Sequence, residues 1–368
     1  MIKNMIEKIE NPYALWLNQA RFLSTPMKKA LASRLKGARN VYRADPMQLA
    51  SANLLSEKEL DDLIELQKES RPEDLAMELE KEEISFVSVE ETTYPKRLRE
   101  VIDHPYGLYY RGRLANQEAR AASIVGARRC SAYGYSTAKE IGYLLGRTGF
   151  TVVSGMARGI DSAGQEGCLE AGGRTVAVLG SGVDVIYPPE NKDLYQRILE
   201  KGCVLSEFAP GTPPIGKHFP QRNRIISGLS DHVIVVEARI RSGSLITAQM
   251  ACQQNRNLLV VPGRINDPMS QGTNHLIEMG ATIIPSEERL IEKLSEEAGM
   301  PLHLLPEKKV SLTMREKCLY QCMDYYAKSG EKLLAESGLS FRDFLEVIHL
   351  LSQKGLIREV NRQHYVKV

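Results

Sequence analysis

Three short apolar runs recur in the middle of the chain: SIVGA at residues 123–127, FTVVSG at 150–155 and TVAVLGSG at 175–182. Four further runs of the same kind follow, which are VLSEF at 204–208, HVIVVEA at 232–238, NLLVVPG at 257–263 and ATIIP at 281–285. Their apolar residues are nearly continuous instead of alternating with polar ones, which indicates strands buried on both faces. We therefore predict a parallel β-sheet with helices packed on each side of it.

The segments between these runs have helical character. They cover residues 136–147, 161–171, 192–201, 224–229, 244–254 and 274–279. A regular alternation of strands and crossover helices predicts a doubly wound α/β fold with a mostly parallel sheet. We expect this domain to span residues 81–295.

The N-terminal flank, residues 1–80, has no strand-like run and predicts a small helical domain of the sterile-alpha-motif or helix-hairpin-helix kind. The segment at 26–45 (PMKKALASRLKGARNVYRAD) predicts two short helices around Gly37. Ser56 with Glu59 forms a capping pair that predicts a helix over 56–70. A glycine-centred helix pair can grip a DNA backbone, but bundles that only mediate contacts share the pattern, so both roles stay open.

The C-terminal flank follows a proline-bearing linker at 301–306 and predicts a winged-helix domain over 305–368. Gly338 ends one helix, Ser340 caps the next, and LIREV with HYVKV predicts a terminal hairpin. The second of these helices, at 340–354, offers few donors for bases or phosphates, namely Arg342, His349 and Lys354. Duplex reading and protein binding both stay open for this part.

Length, charge and cysteine usage bound the class of protein. The 368 residues suggest two or three domains, and 48 Lys and Arg against 46 Asp and Glu leave a net charge of only +2. Any binding of nucleic acid must therefore depend on a local patch of charge. The six cysteines include no C-x-x-C pair, which favours a reducing compartment. With no leader and no apolar run of about 18 residues, we expect a cytoplasmic protein without membrane contact.

Enzymatic motifs are weak or missing. GTPPIGKH at 211–218 matches the spacing of a phosphate loop, but His218 stands where Ser or Thr should bind magnesium, and two prolines remove backbone donors. No G-x-G-x-x-G, no G-x-S-x-G and no metal-ligand spacing occurs. Asp161 and Glu207 follow strands, where helix capping or pairing with arginine is favoured over acid–base chemistry. We predict no catalytic residue, no metal and no cofactor.

Positive charge gathers where the predicted strands end. Ligands of open parallel sheets bind outside the carboxyl ends of the strands. The cations at these positions are Arg128, Arg129, Arg158, Lys217, His218, Arg222, Arg224, Arg239, Arg241 and Arg264. A row of cations with an aromatic ring among them suits a phosphodiester backbone with a stacked base better than a small metabolite. The glycine turns at 180–182 and 242–244 would also let a phosphate approach a helix N-terminus.

The segment 217–224 (KHFPQRNR) predicts one platform for such a strand. Phe219 precedes Pro220, which favours an extended backbone there, and its ring could be buried in the core or accept a base. Arg222 and Arg224 are expected at the start of a helix, where cations oppose the helix dipole. That unfavourable placement indicates that a polyanion binds there.

Several long motifs resemble one family. SIVGARRCSAYG, VVSGMARGIDSAG, AVLGSGVDVIYPPEN, KHFPQRNRIISGLSDHVIVVEA, SGSLITAQMA, VPGRIND and GTNHLIEMGA occur in the order typical of the DprA/Smf family of bacterial DNA-processing proteins. YPKRLREVIDHPYGLYYRG at 94–112 resembles the lead-in strand and loop of that family. The resemblance covers about residues 85–290. The family's turns fall here on residues 126–128, 154–161 and 218–224.

The resemblance implies an extended Rossmann-like domain that binds single-stranded DNA without sequence preference. It further implies protection of incoming strands, formation of a homodimer and loading of the RecA recombinase during natural transformation and recombination. Together with the charge pattern, it gives an expected set of DNA-binding residues. These are Gly126, Arg128, Arg129, Ser131, Arg158, Gly159, Lys217, His218, Phe219, Arg222, Asn223, Arg224, Ser242, Gly243 and Ser244.

Two other classes of function stay open. Phosphoribohydrolase-like enzymes of a related Rossmann-like fold hold a nucleotide with a G-G-x-G-T-x-x-E turn, whose glutamate is catalytic. This chain has Gly272 with Thr273 but lacks that turn and its glutamate. A purely architectural role without DNA is the other class. An oligonucleotide gel shift beside a nucleotide hydrolysis assay separates the three.

Overall fold

The computed structural model describes residues 9–114, 119–298, 312–324 and 326–367. The large compact unit comprises the described residues up to 130 and from 137 to 298. The small unit comprises the described residues from 312 onward, together with 131–136. Within these ranges, no helix is both long and apolar enough to cross a bilayer. The predicted linker at 301–306 lies outside the described residues, and the predicted domain boundaries stay predictions.

The N-terminal part of the large unit is helical, as predicted. Its described helices are α1 (Pro12–Gln19), α2 (Thr25–Arg34), α3 (Ala38–Arg43), α4 (Pro46–Ser51), α5 (Glu57–Glu69) and α6 (Pro72–Lys81). Gly37, with φ of 117°, separates α2 from α3, and Ser56 with Glu59 forms a complete capping box at the start of α5. Trp16 is fully buried in a core that also contains Phe86 and Tyr109 of the sheet. The helices therefore pack on one edge of the sheet.

A nine-stranded sheet, counted over the described residues, forms the centre of the large unit. Its strands are β1 (Ser85–Ser88), β2 (Gly107–Gly112), β3 (Ala121–Val125), β4 (Thr151–Ser154), β5 (Arg174–Val178), β6 (Cys203–Ser206), β7 (His232–Val235), β8 (Asn257–Val260) and β9 (Thr282–Ile283). The order across the sheet is β1-β2-β6-β5-β4-β3-β7-β8-β9. The strands from β6 to β9 in this order run parallel, whereas β1 and β2 form an antiparallel edge. The predicted mostly parallel sheet is confirmed.

Helices cover both faces of this sheet. They are α7 (Lys96–Arg99), α8 (Ala132–Arg147), α9 (Ile160–Glu170), α10 (Lys192–Lys201), α11 (His218–Gly228), α12 (Gly243–Gln253), α13 (Gln271–Glu278) and α14 (Glu287–Ala298). Ile225 of α11 and Ala248 of α12 pack with one face of the strands, whereas Ile198 of α10 packs with the other. A methyl group on Gly142 of α8 would overlap the carbonyl oxygen of Gly164 in α9, so these helices require glycine where they meet. The doubly wound α/β arrangement is confirmed.

Helix α11 differs from its prediction. It begins at His218 instead of residue 224, so Phe219 and Pro220 lie in its first turn. Proline is accepted there because the first N–H groups of a helix have no partner inside the helix. The prediction of an extended backbone at Phe219 is therefore wrong. Arg222 and Arg224 also do not begin the helix, and both side chains are buried.

From residue 312 onward, the described part of the small unit contains three helices and a three-stranded antiparallel sheet. These are α15 (Met314–Cys322), α16 (Gly330–Ser337), α17 (Phe341–Gln353), β10 (Lys328–Ser329), β11 (Ile357–Asn361) and β12 (His364–Lys367). Gly338 ends α16 in the left-handed conformation with φ of 63°, and Ser340 caps α17. The predicted helices and terminal hairpin are present, and β10 is an addition. Assignment to the winged-helix class stays a prediction.

Candidate nucleic-acid interface

A cleft of about 780 Å³ opens at the point where the strand order of the sheet reverses. Strands β4, β5 and β6 lie on one side of β3, and β7 follows on its other side. Ligands of doubly wound sheets bind at this switch point, outside the carboxyl ends of the strands. The loop after β3, the loop after β7 and the start of α11 line the cleft. Its position agrees with the rim that the sequence predicts.

The cleft is strongly positive, and we call it the arginine cleft. Among the described residues, its lining includes five arginines, which are Arg128, Arg129, Arg222, Arg239 and Arg241. All of them except Arg222 are exposed, and none of those four forms an ion pair with a carboxylate of the described chain. Asp161 is the single carboxylate in the described lining. The cleft therefore offers unpaired guanidinium groups to an anion, which is the chemistry of phosphate binding.

An aromatic platform lies in the wall of the same cleft. The Phe219 ring is half-buried, and the Arg128 guanidinium carbon lies 4.9 Å from its centroid. Tyr187 packs against the same ring, with centroids 5.6 Å apart and planes inclined by 37°. A methyl group on Gly180 would come within 2.9 Å of the Phe219 ring, so glycine makes room for it. A cation and two aromatic rings thus form one continuous surface.

Arg222 lies beneath this platform with its side chain almost wholly buried. It donates a hydrogen bond to the carbonyl oxygen of Val178, and its Nε has no partner among the described residues. Burial lowers the pKa of Arg222 to about 10, although the nearby Asp161 carboxylate raises it. Burial also raises the pKa of Asp161, which accepts a hydrogen bond from the Gly155 amide at 3.1 Å. A side chain on Gly155 would overlap the Arg222 guanidinium. Arg222 therefore belongs to the buried part of the cleft lining.

Arg224 does not reach the cleft. Its guanidinium donates two hydrogen bonds of 2.7 Å to the two carboxylate oxygens of Glu207, and it also contacts Asp103 at 3.1 Å. These carboxylates raise the pKa of Arg224 against the effect of burial. The interpretation of Glu207 as the partner of an arginine is confirmed. Because α11 begins at His218, Arg224 lies more than one turn further along the helix than expected and is buried in this ion pair.

The other residues of the 217–224 segment separate to different surfaces. His218 is buried and stacks on Phe208 with ring centroids 4.0 Å apart, and it lines a second cavity. Lys217 is exposed at the helix N-cap and lies outside the described lining of the cleft. Asn223 lines the cleft and donates to the Gly243 carbonyl at 3.3 Å. The structure therefore does not assemble this segment into a single platform.

Three expected residues are absent from the described lining of the cleft. Arg158 is exposed and pairs with Glu190 at 2.6 Å, near a small pocket that Arg128 and Phe219 also line. Gly159 has φ of 79° and approaches the carbonyl oxygen of Ala127 so closely that a side chain would overlap it. Ser131 does not line the cleft, and its hydroxyl accepts a hydrogen bond of 3.0 Å from the Gly134 amide at the start of α8.

The turn at 242–244 also lines the cleft, at the N-terminus of α12. Ser242 and Ser244 share a hydrogen bond of 2.7 Å between their hydroxyls, and no side chain caps the first turn of the helix. Its backbone N–H groups are suited to a phosphate oxygen. Gly126 directly follows β3, at a position where a side chain would overlap Ile160 and the Glu237 carbonyl.

Sequence reasoning missed Tyr187, although it follows the run at 175–182 and so belongs to the same rim. Arg239 and Arg241 were recognised as rim cations but were left out of the expected DNA-binding set. The structure places all three in the lining of the cleft. Over the residues described, no group of three His, Cys, Asp or Glu side chains is arranged to hold a metal ion.

Comparison with known proteins agrees with these features. Residues 85–295 match the family model of DNA recombination-mediator protein A. The chain belongs to this family. The matched range includes every strand of the large sheet and every residue that lines the arginine cleft.

Two members of the family are similar to this chain over more than two thirds of their length. The protein Smf of Synechocystis sp. is 36% identical over 289 residues, which are 77% of this chain and 73% of that protein. The DNA processing protein DprA of Streptococcus pneumoniae is 42% identical over 204 residues, which are 55% of this chain and 72% of that protein. Its X-ray structure matches with a TM-score of 0.66 and 34% identity, covering 78% of this chain and 99% of that one.

A DNA processing protein A from Helicobacter pylori is also similar in structure. It matches with a TM-score of 0.52 and 32% identity, covering 58% of this chain and 96% of that chain. That structure was solved for insight into a unique single-stranded DNA binding mode. The resemblance to the DprA/Smf family that the sequence motifs indicate is therefore confirmed.

Proposed function

We propose that the arginine cleft binds single-stranded DNA through its phosphate backbone and without reading sequence. The observation that carries this proposal is the combination of four exposed, unpaired arginines with the Phe219 ring in one cleft. Guanidinium groups bind phosphates whatever base is attached, and every base has a face that can stack on an aromatic ring. The single-stranded DNA binding described for the H. pylori relative supports the same class of ligand.

The wider role follows from membership of the family. We propose that the protein is a recombination mediator that protects incoming strands and helps to load RecA during natural transformation, acting in the cytoplasm as a homodimer. The DNA-binding set keeps Gly126, Arg128, Arg129, Ser131, Arg158, Gly159, Lys217, His218, Phe219, Arg222, Asn223, Ser242, Gly243 and Ser244 as predictions, with Arg128 and Phe219 at its centre. Arg224 keeps only an indirect part, because it positions α11 through Glu207.

A phosphoribohydrolase-like activity is disfavoured by the burial of Asp161, the single carboxylate in the described lining of the cleft. Asp161 is buried, accepts a backbone hydrogen bond and interacts with Arg222, so it is held by the protein instead of facing a substrate. Relatives in the family are named DNA processing proteins. We expect no release of base or phosphate when the protein is incubated with nucleotides, and chromatography of the products checks this expectation.

The salt dependence of binding tests directly whether the arginine cleft binds the phosphate backbone. Each phosphate neutralised on a single strand contributes roughly 0.7 to the slope of log affinity against log salt, so four exposed arginines predict a slope of about −3. Fluorescence anisotropy with a labelled oligo-dT, titrated at several salt concentrations, measures this slope. A matched duplex should bind about tenfold more weakly, because its bases cannot stack on Phe219. Equal affinity for both forms would contradict the proposal.

Stacking and charge are separated by two substitutions in the same cleft. Phe219→Ala should weaken oligo-dT binding by about 1–3 kcal/mol and leave the salt slope unchanged, because it removes no charge. Arg239→Ala should reduce the slope by about one phosphate's worth and weaken binding less. Arg239 suits this test because it is exposed, whereas Arg222 is buried. If Phe219→Ala lowers the melting temperature but binds normally, the ring belongs to the core.

A further inference from the structure

A second cavity, of about 650 Å³, lies on the other side of the loop at 210–217 from the arginine cleft. Its walls come from the start of α2, strand β2 and the segment after β6. Pro214 and Phe219 line the arginine cleft, whereas their neighbours Pro213 and His218 line this cavity. The loop and the first turn of α11 therefore form a ridge between two separate spaces. The second cavity is not accounted for by the function proposed above.

A buried ammonium group is the main feature of this cavity. Lys28 is only 6% exposed, and its Nζ donates a hydrogen bond of 2.9 Å to the carbonyl oxygen of Asn18. No carboxylate in the described chain pairs with it, and a second cation, Arg21, lies close enough to repel its charge. Burial, and then Arg21, lower the pKa of Lys28 to about 8. A buried charge without a counter-ion destabilises the folded state, and an anion would relieve that cost.

The remaining charge of the cavity does not supply the missing counter-ion. Glu207 is its single described carboxylate, and both of its oxygens already accept hydrogen bonds from Arg224. Arg21, which also lines the cavity, is exposed and forms no ion pair in the described part of the chain. Two cations are thus left facing a space of the size that holds small ligands.

An aromatic surface accompanies the cations. Phe208 is half-buried in the lining and stacks on His218, with ring planes inclined by 22°. The amides of Asn18 and Gln19, which donate to the Tyr109 hydroxyl at 3.1 and 3.4 Å, line the same cavity. A nucleotide needs an aromatic face for its base and cations for its phosphate, and this cavity has both, together with amide groups.

We propose that the second cavity binds a nucleotide, with its phosphate on Lys28 and Arg21 and its base against Phe208. The same chemistry is offered by a free mononucleotide and by one nucleotide of a strand that crosses the ridge from the arginine cleft. The proposal goes beyond the proposed function, since it rests on different residues. For a free mononucleotide it is independent of the arginine cleft, whereas for a nucleotide of a strand it rests on the proposed function.

The test compares two neighbouring lysines in the full chain. Lys28→Met removes the charge and keeps an unbranched apolar stem, whereas Lys29→Met is the matched control, because Lys29 lies outside the described lining and donates to the His104 carbonyl. Isothermal titration calorimetry with dTMP and with a 15-residue oligo-dT gives the affinities. We expect Lys28→Met to weaken one of them about tenfold, which is the loss of one charge-assisted hydrogen bond, and Lys29→Met to change neither.

The two ligands distinguish the two sources. Loss of dTMP affinity supports a free nucleotide, and loss of oligo-dT affinity alone supports a nucleotide of the strand. Unchanged affinity for both, in a Lys28→Met protein that melts like the wild type, overturns the proposal. Arg21→Gln, at an exposed position, repeats the test if Lys28→Met does not fold. An oligo-dT that fails to bind the wild-type protein would overturn the arginine cleft as a DNA site, while the dTMP titration would still decide the second cavity.

Discussion

Replacing Arg224 with methionine should lower the free energy of unfolding by about 3–5 kcal/mol, because it leaves the Glu207 carboxylate buried without its partner. The Glu207 side chain is only 10% exposed and depends on two hydrogen bonds from Arg224. Urea denaturation followed by circular dichroism measures the loss. Arg239→Ala is the matched control, since this exposed arginine forms no ion pair in the described chain and should change stability by no more than about 0.5 kcal/mol.

A double substitution separates the buried charge from simple loss of packing. Arg224→Met combined with Glu207→Leu removes both charges, so much of the lost stability should return. Oligo-dT affinity of the double variant should stay within a few-fold of wild type, since Arg224 does not line the arginine cleft. An Arg224→Met protein with wild-type stability but weak DNA binding would return Arg224 to the DNA-binding set.

Arg128→Ala should raise the Kd for oligo-dT by about 10- to 150-fold, corresponding to about 1.5–3 kcal/mol for a charge-assisted phosphate contact. Arg128 is exposed in the cleft and also covers the Phe219 ring, so its loss removes a charge and one edge of the stacking surface. Fluorescence anisotropy at fixed salt measures the change. The melting temperature should stay within a few degrees of wild type.

Two further variants qualify this prediction. Arg128→Lys keeps the charge but loses the planar group over the ring, and it should fall between wild type and Arg128→Ala. Arg197→Ala removes an arginine of α10 outside the described lining of the cleft, and it should leave the Kd unchanged. Wild-type binding by Arg128→Ala would show that the strand does not run through this cleft.

The parallel strands of the large sheet could be predicted from sequence because each lies in a nearly continuous apolar run, which is typical of strands buried on both faces. Strand β9 has the same pattern, although both of its residues are exposed. The antiparallel pair β1 and β2 could not be found in this way, because β1 (SFVS) has only two consecutive apolar residues and β2 (GLYYRG) only three. Only the family resemblance of residues 94–112 pointed to β2. The predicted strands also extend past the observed ends, since their last apolar residues leave the ladder to form the rim.

The rim of cations was predictable, whereas the direction of each side chain was not. Strand ends locate Arg128 and Arg239 at one edge, because topology alone brings those loops together. In 217–224 the directions of the side chains depend on where α11 begins. A proline at the third position of this helix makes its start difficult to predict from the local sequence. The partner that buries Arg224 is 17 residues away along the chain. Sequence spacing carries no signal for that ion pair.

The ridge has a mechanical consequence. His218 and Phe219 are consecutive residues of one helical turn, yet they line opposite spaces. A tilt of that turn cannot move one ring without moving the other. Ligands on the two sides are therefore thermodynamically linked whenever either one shifts the turn, and the factor by which the first changes the affinity for the second must equal the reverse factor. One helical turn would then set the sign of cooperativity between the two sites.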